Sequence, residues 1–213
     1  MDVQSSYDNV AAQYAAEFQD EMDRKPFDRK VLDWLIEKVD GLGPICDLGC
    51  GPGQVARYLH RRGAEACGID LSPEMVRQAA RLNPEIGFQQ GDMLALGGVA
   101  DGAFGGIAAF YAFHHFSRAD AARALVELAR VLRPGGVLLL AFHVGEEAIH
   151  TEEWWGKAVD LDFTFLRSAE VGEWLATAGL TLEEAMERDP YAGVEYGSRR
   201  GYVFARKPGR GIA

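Results

Sequence analysis

The stretch that decides the fold is Ile45–Leu59, "ICDLGCGPGQVARYL", in which three glycines and a proline separate an apolar run from a helical pattern. Glycine is costly inside regular structure, because its backbone loses the most conformational freedom on folding. We therefore interpret Gly49, Gly51 and Gly53 as a loop between a buried strand and a helix. In such a loop the backbone turns tightly, and a ligand can approach it without meeting a Cβ atom.

Strands and helices alternate on both sides of this loop. The strands are indicated by "PICDLG", "AEACGID", "IGFQQ", "GGIAAFYAF", "GVLLLAFH", "LTLEEAMERD" and "GYVFARK". Helical patterns such as "SPEMVRQAARL" and "SRADAARALVELARVL" lie between them. This alternation predicts an α/β fold, with a mostly parallel sheet covered by helices on both faces and an antiparallel pair at the end. No low-complexity linker divides the chain, so we predict a single domain over residues 1–213.

The composition limits the classes of function. The chain has 213 residues and a formal net charge of -10, which disfavours a nucleic-acid partner or an anionic membrane surface. Its three cysteines are an odd number in apolar or glycine-rich settings, so a disulfide framework is not expected and a cytoplasmic location is. Cys46 and Cys50 have no second pair to complete a zinc site, and we expect no metal. No signal peptide or membrane-spanning run is predicted.

Acidic residues mark the ends of the first two strands. Asp70 follows Asp47 by 23 residues and stands where a carboxylate can accept both hydroxyls of a ribose. The glycine spacing is G-x-G-x-G, with Gln54 at the position where a dinucleotide fingerprint has its third glycine. Asp47 would repel a pyrophosphate but attract an ammonium group. A nucleotide-dependent oxidoreductase is therefore a disfavoured alternative.

Four motifs in order resemble a known family. The segments "DLGCGPG", "GIDLSPEM", "GDMLAL" and "LRPGG" are similar to those of class I S-adenosylmethionine-dependent methyltransferases of the small-molecule, type 11-like kind. The resemblance covers roughly Tyr7 to Phe142. It implies a Rossmann-like, doubly wound, mostly parallel seven-stranded sheet with an antiparallel last strand. It also implies an N-terminal helical lid over residues 1–40, and we expect residues 144–200 to roof the acceptor.

The resemblance implies S-adenosyl-L-methionine as cofactor and assigns the glycine loop to its methionine part. Asp47, Gly49, Gly51 and Gly53 would surround this part, with the acid near the ammonium group. Lys25 would approach the methionine carboxylate, although a solvated lysine is the alternative.

The resemblance assigns the next two strand ends to the nucleoside. Asp70 would bind the ribose hydroxyls, with Leu71 and Met75 against the adenine. Asp92 would accept a hydrogen bond from the adenine amino group, and Met93 would supply backbone and apolar contacts. Ordinary turn and core roles are the alternatives for Asp92 and Met75.

Aromatic residues complete the implied cofactor site. Phe110 and Tyr111 would sit under the sulfonium group, and Tyr14 would contact the cofactor from the lid, with Tyr7 as a second lid contact. Each of these side chains has simple packing as its alternative. Trp154 in the aromatic-rich insertion either lines the acceptor pocket or packs the insertion.

The candidate acceptor residues lie at the later strand ends. His143 and His115 are the candidate catalytic residues, although a structural role is the alternative for both and is the favoured one for His115. A general base is needed only if the acceptor must lose a proton. Tyr196, Arg199 and Arg200 are candidate substrate-binding residues that could clamp a carboxylate or phosphate. Adjacent strand residues point to opposite faces, so at most one arginine should reach the pocket.

The sequence thus predicts a soluble methyltransferase that acts on a small-molecule acceptor by in-line displacement. A non-catalytic S-adenosylmethionine-binding module is the alternative from another class, because it would carry the same cofactor residues. The methylated atom and the oligomeric state are not predicted.

Overall fold

A computed structural model describes residues 1–209 of the chain. Its nine strands are β1 Ile45–Leu48, β2 Ala66–Asp70, β3 Gly87–Gln90, β4 Phe104–Phe110, β5 Leu132–Val144, β6 Ala148–Trp154, β7 Lys157–Thr164, β8 Thr181–Arg188 and β9 Arg199–Arg206. The α-helices within that range are α1 Val3–Phe18, α2 Pro26–Val39, α3 Gln54–Arg61, α4 Pro73–Leu82, α5 Arg118–Val131 and α6 Ser168–Thr177.

Seven strands form one sheet in the order β3-β2-β1-β4-β5-β9-β8. Strands β1 to β5 pair in parallel, whereas β9 is antiparallel to both of its neighbours. The predicted doubly wound, seven-stranded sheet with an antiparallel last strand is confirmed. The order reverses between β1 and β4, so the carboxyl ends of these strands flank the crevice in which such sheets bind ligands.

Apolar clusters cover both faces of the sheet. On one face, Leu125 and Leu128 of α5 and Leu175 of α6 are fully buried against β4 and β5. On the other face, Leu32 of α2 and Leu59 of α3 are fully buried against β1 and β4. The burial of these faces fixes the strand register, because a one-residue slip would turn every core side chain outward.

Several element bounds differ from the predicted ones. The first helix begins at Val3, and a 3₁₀ turn at Glu21–Arg24 follows it. The insertion forms an antiparallel hairpin of β6 and β7, where no strands were predicted. Strand β5 begins at Leu132, before the predicted segment "GVLLLAFH", and a register shift between Phe104 and Gly106 of β4 accommodates the "RPGG" residues.

The N-terminal lid is smaller than predicted. Helix α1 packs on the β6–β7 hairpin, where Val10 is buried with Val159 and Leu161. By contrast, α2 belongs to the core of the sheet. The residues over the crevice are therefore α1 and the turn after it, not the whole of residues 1–40. No helix within residues 1–209 has the length and apolar character to cross a bilayer.

Candidate active site

A single cavity of about 470 Å³ lies at the carboxyl ends of the parallel strands, under α1 and the hairpin. Most of the predicted site residues line it: Tyr14, Gly49, Gly51, Asp70, Leu71, Met75, Asp92, Met93, Phe110, Tyr111, His115, His143, Tyr196 and Arg200. The predicted residues Asp47, Gly53 and Arg199 are not in its wall. The fold thus gathers strand ends that are far apart in the sequence.

The three loop glycines have different roles. Gly51 has φ +51°, faces the cavity, and would place a Cβ in ordinary contact with the Tyr14 ring at 3.7 Å. A Cβ on Gly49, at φ +73°, would meet the Ala112 Cβ at 2.5 Å. A Cβ on Gly53, at φ +82°, would lie 2.8 Å from the Phe88 ring. Packing and backbone conformation therefore explain the glycine at this position, and the approach of a ligand is not needed to explain it. Its predicted place beside the cofactor is therefore corrected.

Asp70 is held by two backbone amides. The Gly51 N–H donates to Oδ2 at 2.8 Å, and the Ser72 N–H donates to Oδ1 at 2.9 Å. Burial raises the pKa of Asp70, although these amide hydrogen bonds oppose the shift. Each carboxylate oxygen keeps a lone pair for another donor. The site therefore fits the two hydroxyls of a ribose.

A mainly apolar wall follows Asp70 around the cavity. Leu71, Met75 and Met93 line it with their side chains, and Met75 is almost fully buried. Asp92 Oδ1 accepts a hydrogen bond from the Leu94 N–H at 2.8 Å. Oδ2 remains available to an amino group. The wall therefore fits a flat, apolar ring with one donor, such as adenine.

Asp47 lies beneath the glycine loop and not on the cavity wall. Its carboxylate accepts the Ala56 N–H at 3.0 Å, in the first turn of α3. Burial raises the pKa of Asp47 to about 8, against the effect of this hydrogen bond. Burial therefore favours the neutral form of the carboxyl group. These contacts do not support the predicted direct contact of Asp47 with an ammonium group, which stays a prediction.

Charged and amide side chains line the cavity near the 3₁₀ turn. Lys25 Nζ donates to Glu21 at 2.6 Å, and Gln54 Nε2 donates to Glu21 at 2.9 Å. Gln54 Oε1 is buried and has no hydrogen-bond partner within residues 1–209. A zwitterionic amino-acid group fits here, because the ammonium can meet Glu21 and Gln54 while the carboxylate meets Lys25. Glu21 and Gln54 were missed as site residues: Glu21 stands in no motif, and Gln54 was considered only as the residue that replaces a third glycine.

The end of β4 has an unusual backbone. Tyr111 has φ +51°, a left-handed conformation that bulky residues seldom adopt. Its ring lies 5.3 Å from Lys25 Nζ, and its hydroxyl is 3.1 Å from the Tyr202 hydroxyl. Such strained residues cluster at ligand sites, where the surrounding structure holds them in place. Tyr111 and Phe110 therefore form a fixed aromatic floor for the cavity.

His115 links α1 to the hairpin. Its Nδ1 lies 2.8 Å from the Asp162 carbonyl oxygen, so Nδ1 carries the proton, and Nε2 accepts from the Tyr7 hydroxyl at 2.7 Å. His114 Nε2 also lies 2.9 Å from this nitrogen. Burial lowers the pKa of His115 to about 4. Both ring nitrogens are engaged within the protein, which favours the structural alternative for His115 over a catalytic role.

His143 lies at the other side of the cavity. Its ring stacks on Phe165 with centroids 5.2 Å apart, and its Nδ1 is 2.7 Å from Ser198 Oγ. Burial, and then the charges of Arg200 and Lys25, lower the pKa of His143 to about 3. The ring is therefore neutral at physiological pH. Ser198 was missed, because nothing in its local sequence shows that it meets a histidine 55 residues away.

The two adjacent arginines point to opposite sides, as strand alternation requires. Arg200 is 3% exposed and lines the cavity, whereas Arg199 pairs with Glu187 at the surface. The predicted substrate contact of Arg199 is thus corrected. Arg200 donates to the Ser198 carbonyl at 2.6 Å and to the Tyr196 carbonyl at 3.1 Å. Its guanidinium group is largely used in holding this loop.

A buried ion-pair cluster supports this side of the cavity. Arg188 donates to Asp28 at 2.9 Å and to the two oxygens of Glu195 at 2.6 and 2.8 Å. Both acid side chains are fully buried. Asp28 also accepts from the Tyr202 hydroxyl at 2.5 Å. Sequence reasoning missed the cluster, because Asp28 and Arg188 are 160 residues apart.

The buried imidazoles predict a pH-dependent stability. His115 and His143, with pKa values of about 4 and 3, stay neutral in the folded chain at pH 5, whereas unfolded imidazoles take up protons below about 6.5. We expect each to lower the free energy of unfolding by about 2 kcal/mol between about pH 7.5 and 5. Urea unfolding at both pH values measures this. In His143→Gln the pH dependence of the free energy of unfolding should be smaller by one such contribution. His60→Gln, at an exposed position, should keep the pH dependence of the parent. The same pH dependence in all three proteins would contradict the prediction.

Fold and site together define a class of protein. A doubly wound sheet carries, at its switch point, a glycine loop, a ribose-type carboxylate and an apolar wall that fit an adenosine. The same cavity holds the zwitterion site described above and the aromatic residues around His143, namely Tyr111, Phe165 and Tyr196, which we call the aromatic chamber. This is the arrangement of an α/β protein that binds an adenosyl amino acid.

Comparisons with known proteins agree with a protein that binds an adenosyl amino acid. The family model described as "Methyltransferase domain" matches residues 46–140. The chain is 39% identical over 118 residues to a demethylmenaquinone methyltransferase of Thermus thermophilus, in an alignment that covers 53% of this chain and only 51% of that relative. It is 32% identical to a ubiquinone biosynthesis O-methyltransferase of Xylella fastidiosa, over 75% of this chain and 71% of the relative.

A solved structure shares the fold. The magnesium protoporphyrin IX methyltransferase of Synechocystis PCC 6803, with bound S-adenosylmethionine, superposes with a TM-score of 0.70 at 19% identity, covering 96% of this chain and 95% of that one. The chain belongs to the class I S-adenosylmethionine-dependent methyltransferases. S-adenosylmethionine is the cofactor of this family, and the residues of the cavity fit it.

Proposed function

We propose that the chain transfers a methyl group from S-adenosylmethionine to a small-molecule acceptor. One observation carries the proposal: the adenosine-type wall and the aromatic chamber around His143 belong to the same cavity of about 470 Å³. A volume of this order suits small ligands rather than a macromolecular chain. The names of the curated relatives, which concern quinone biosynthesis, support a small molecule as acceptor.

In methyl transfer, the main task of the protein is to align the cofactor and the acceptor. The bound cofactor supplies a methyl group that its positive sulfur already makes electrophilic. Asp70 and Asp92 would fix the nucleoside, and Phe110 and Tyr111 would hold the methyl group at the floor of the aromatic chamber. Trp154 in the cavity wall and the aromatic side chains of the chamber would exclude water. Such alignment can account for about 7–11 kcal/mol of a barrier.

We also propose that the acceptor is not a nucleic acid and that the chain works in the cytoplasm. A net charge of -10 disfavours a nucleic-acid acceptor, because phosphate backbones are bound by clustered lysine and arginine. Three free thiols, Cys46, Cys50 and Cys67, suit a reducing compartment, and we propose the cytoplasm.

Calorimetry with S-adenosylhomocysteine and NAD tests the cofactor part. We expect S-adenosylhomocysteine to bind at least about 100-fold more tightly than NAD, a difference of roughly 2.7 kcal/mol. The carboxyl groups of Asp70 and Glu21 face the cavity, and such acids disfavour a pyrophosphate. Tighter binding of NAD would overturn the proposal. Cofactor binding without transfer of a labelled methyl group to any small acid, phenol or amine would indicate a binding module instead.

A further inference from the structure

Three side chains form a hydrogen-bonded chain at the acceptor side of the cavity. Arg200 Nη1 lies 2.7 Å from Ser198 Oγ, and Ser198 Oγ lies 2.7 Å from His143 Nδ1. Arg200 and His143 both line the cavity. The direction of each hydrogen bond decides which group His143 presents to a ligand.

The directions follow from the donors available. A guanidinium group only donates, so Ser198 Oγ accepts from Arg200. Within residues 1–209, the serine hydroxyl has no other partner except His143 Nδ1, so its hydrogen goes to that nitrogen. The opposite assignment would use both lone pairs of this oxygen and leave the hydroxyl hydrogen without an acceptor among residues 1–209, which costs free energy. His143 Nδ1 therefore accepts, and the ring proton is on Nε2.

Nε2 is open to the cavity. It makes no hydrogen bond within residues 1–209, and it is not among the buried, unpartnered polar atoms of that range. The ring stays neutral, because burial and the charges of Arg200 and Lys25 lower the pKa of His143, while Glu195 opposes the shift only in part. A neutral ring with its proton on Nε2 offers the cavity a donor and no lone pair. His143 therefore lacks the free lone pair that the general base expected from the sequence would need.

We infer that His143 donates a hydrogen bond to the acceptor and that the acceptor is an oxyanion, a carboxylate or an ionised phenol or enol. This inference rests on the proposed methyltransferase function. In the step, a lone pair of the deprotonated acceptor forms the bond to the methyl carbon, while the carbon–sulfur bond breaks and its electron pair stays on sulfur. No proton passes to the protein. The positive charge of Arg200 favours the anion, and Ser198 and Arg200 act as positioning residues.

Removal of the His143 side chain should affect acceptor binding more than turnover. The negative charge of the acceptor decreases as the bond to the methyl group forms, so the His143 hydrogen bond does not gain strength in the transition state. Its loss should weaken acceptor binding and leave the chemical step nearly unchanged. A general base would instead act on turnover.

The first test is the tautomer of His143, read by ¹⁵N NMR of histidine-labelled protein at about pH 7, with and without S-adenosylhomocysteine. We expect a protonated Nε2 and an unprotonated Nδ1, assigned by comparison with His143→Gln. Ser198→Ala should shift this signal, and the control Ser168→Ala, whose hydroxyl bonds to Glu187 outside the cavity, should not. A protonated Nδ1 in the parent, or an unchanged signal in Ser198→Ala, overturns the inference.

The second test uses benzoate and benzylamine as probes of the protein loaded with S-adenosylhomocysteine. We expect benzoate to bind more tightly, to lose about 10- to 100-fold in His143→Ala, and to lose less than about 5-fold in His143→Gln, which keeps an N–H donor. Stronger binding of benzylamine, no binding of benzoate, or equal losses in the two variants overturns the inference. Failure to bind S-adenosylhomocysteine bears on the proposed function instead, because the tautomer is also read in the free protein.

Discussion

Asp70→Ala is expected to weaken S-adenosylhomocysteine binding by about 30- to 1000-fold, measured by calorimetry. In the proposed binding mode the variant would lose two charge-assisted hydrogen bonds to the ribose, worth about 2–4 kcal/mol together. It also frees the Gly51 and Ser72 amides that Asp70 holds at 2.8 and 2.9 Å, so the glycine loop loses its anchor. The fold should nevertheless survive, since this side chain belongs to the cavity wall and not to the apolar core.

Asp8 provides a matched control for Asp70. Its carboxylate also accepts at the start of α4, from the Ser72 hydroxyl at 2.6 Å, but it does not line the cavity. Asp8→Ala should therefore leave cofactor affinity within a few-fold of the parent. An unchanged dissociation constant in Asp70→Ala, or equal losses in both variants, would remove Asp70 from the ribose site.

Arg188→Met is expected to lower the free energy of unfolding by about 3–5 kcal/mol, measured by urea denaturation near neutral pH. The substitution leaves Asp28 and Glu195 buried without their shared cation, and an uncompensated buried charge is strongly destabilising. Arg199→Met is the control. That arginine is exposed and pairs with Glu187, so its loss should cost less than about 1 kcal/mol.

The cost of Arg188→Met should also depend on pH. Burial raises the pKa of Asp28, with Arg188 among the groups that oppose the shift; for Glu195, hydrogen bonds from Arg188 and the Tyr191 amide overcome burial and lower the pKa. Without Arg188, both folded-state pKa values rise. The folded variant then binds more protons than the unfolded chain, so its stability falls as pH rises. The loss should be larger at about pH 8 than at pH 5, and two equal losses of stability would contradict this account.

The sheet and much of the cofactor wall could be predicted, because their signals are local. A glycine loop after an apolar run predicts a strand end, and Asp70 at the next strand end follows from the same alternation. Alternation along β9 also predicted that only one of Arg199 and Arg200 would face the cavity. It did not give which one, because that depends on the pairing of β9 with β5.

Features that depend on distant contacts could not be predicted. The sequence does not show that Asp47 accepts from Ala56, so an acid beside the glycines was interpreted as a ligand contact. The β6–β7 hairpin was missed because most of its residues are exposed and few of them mark a buried face. The proton position on His143 is set by Ser198, across the β5–β9 pair, and no local pattern encodes it.

The link from Tyr7 through His115 to Asp162 has a kinetic consequence. It ties α1 to the hairpin at the wall of the cavity that both reactants would share, so a separation of α1 from the hairpin would serve both exchanges. Steps of this kind often limit turnover in enzymes with closing segments. The turnover number of such an enzyme would then depend more on solvent viscosity and temperature than on the intrinsic reactivity of the acceptor.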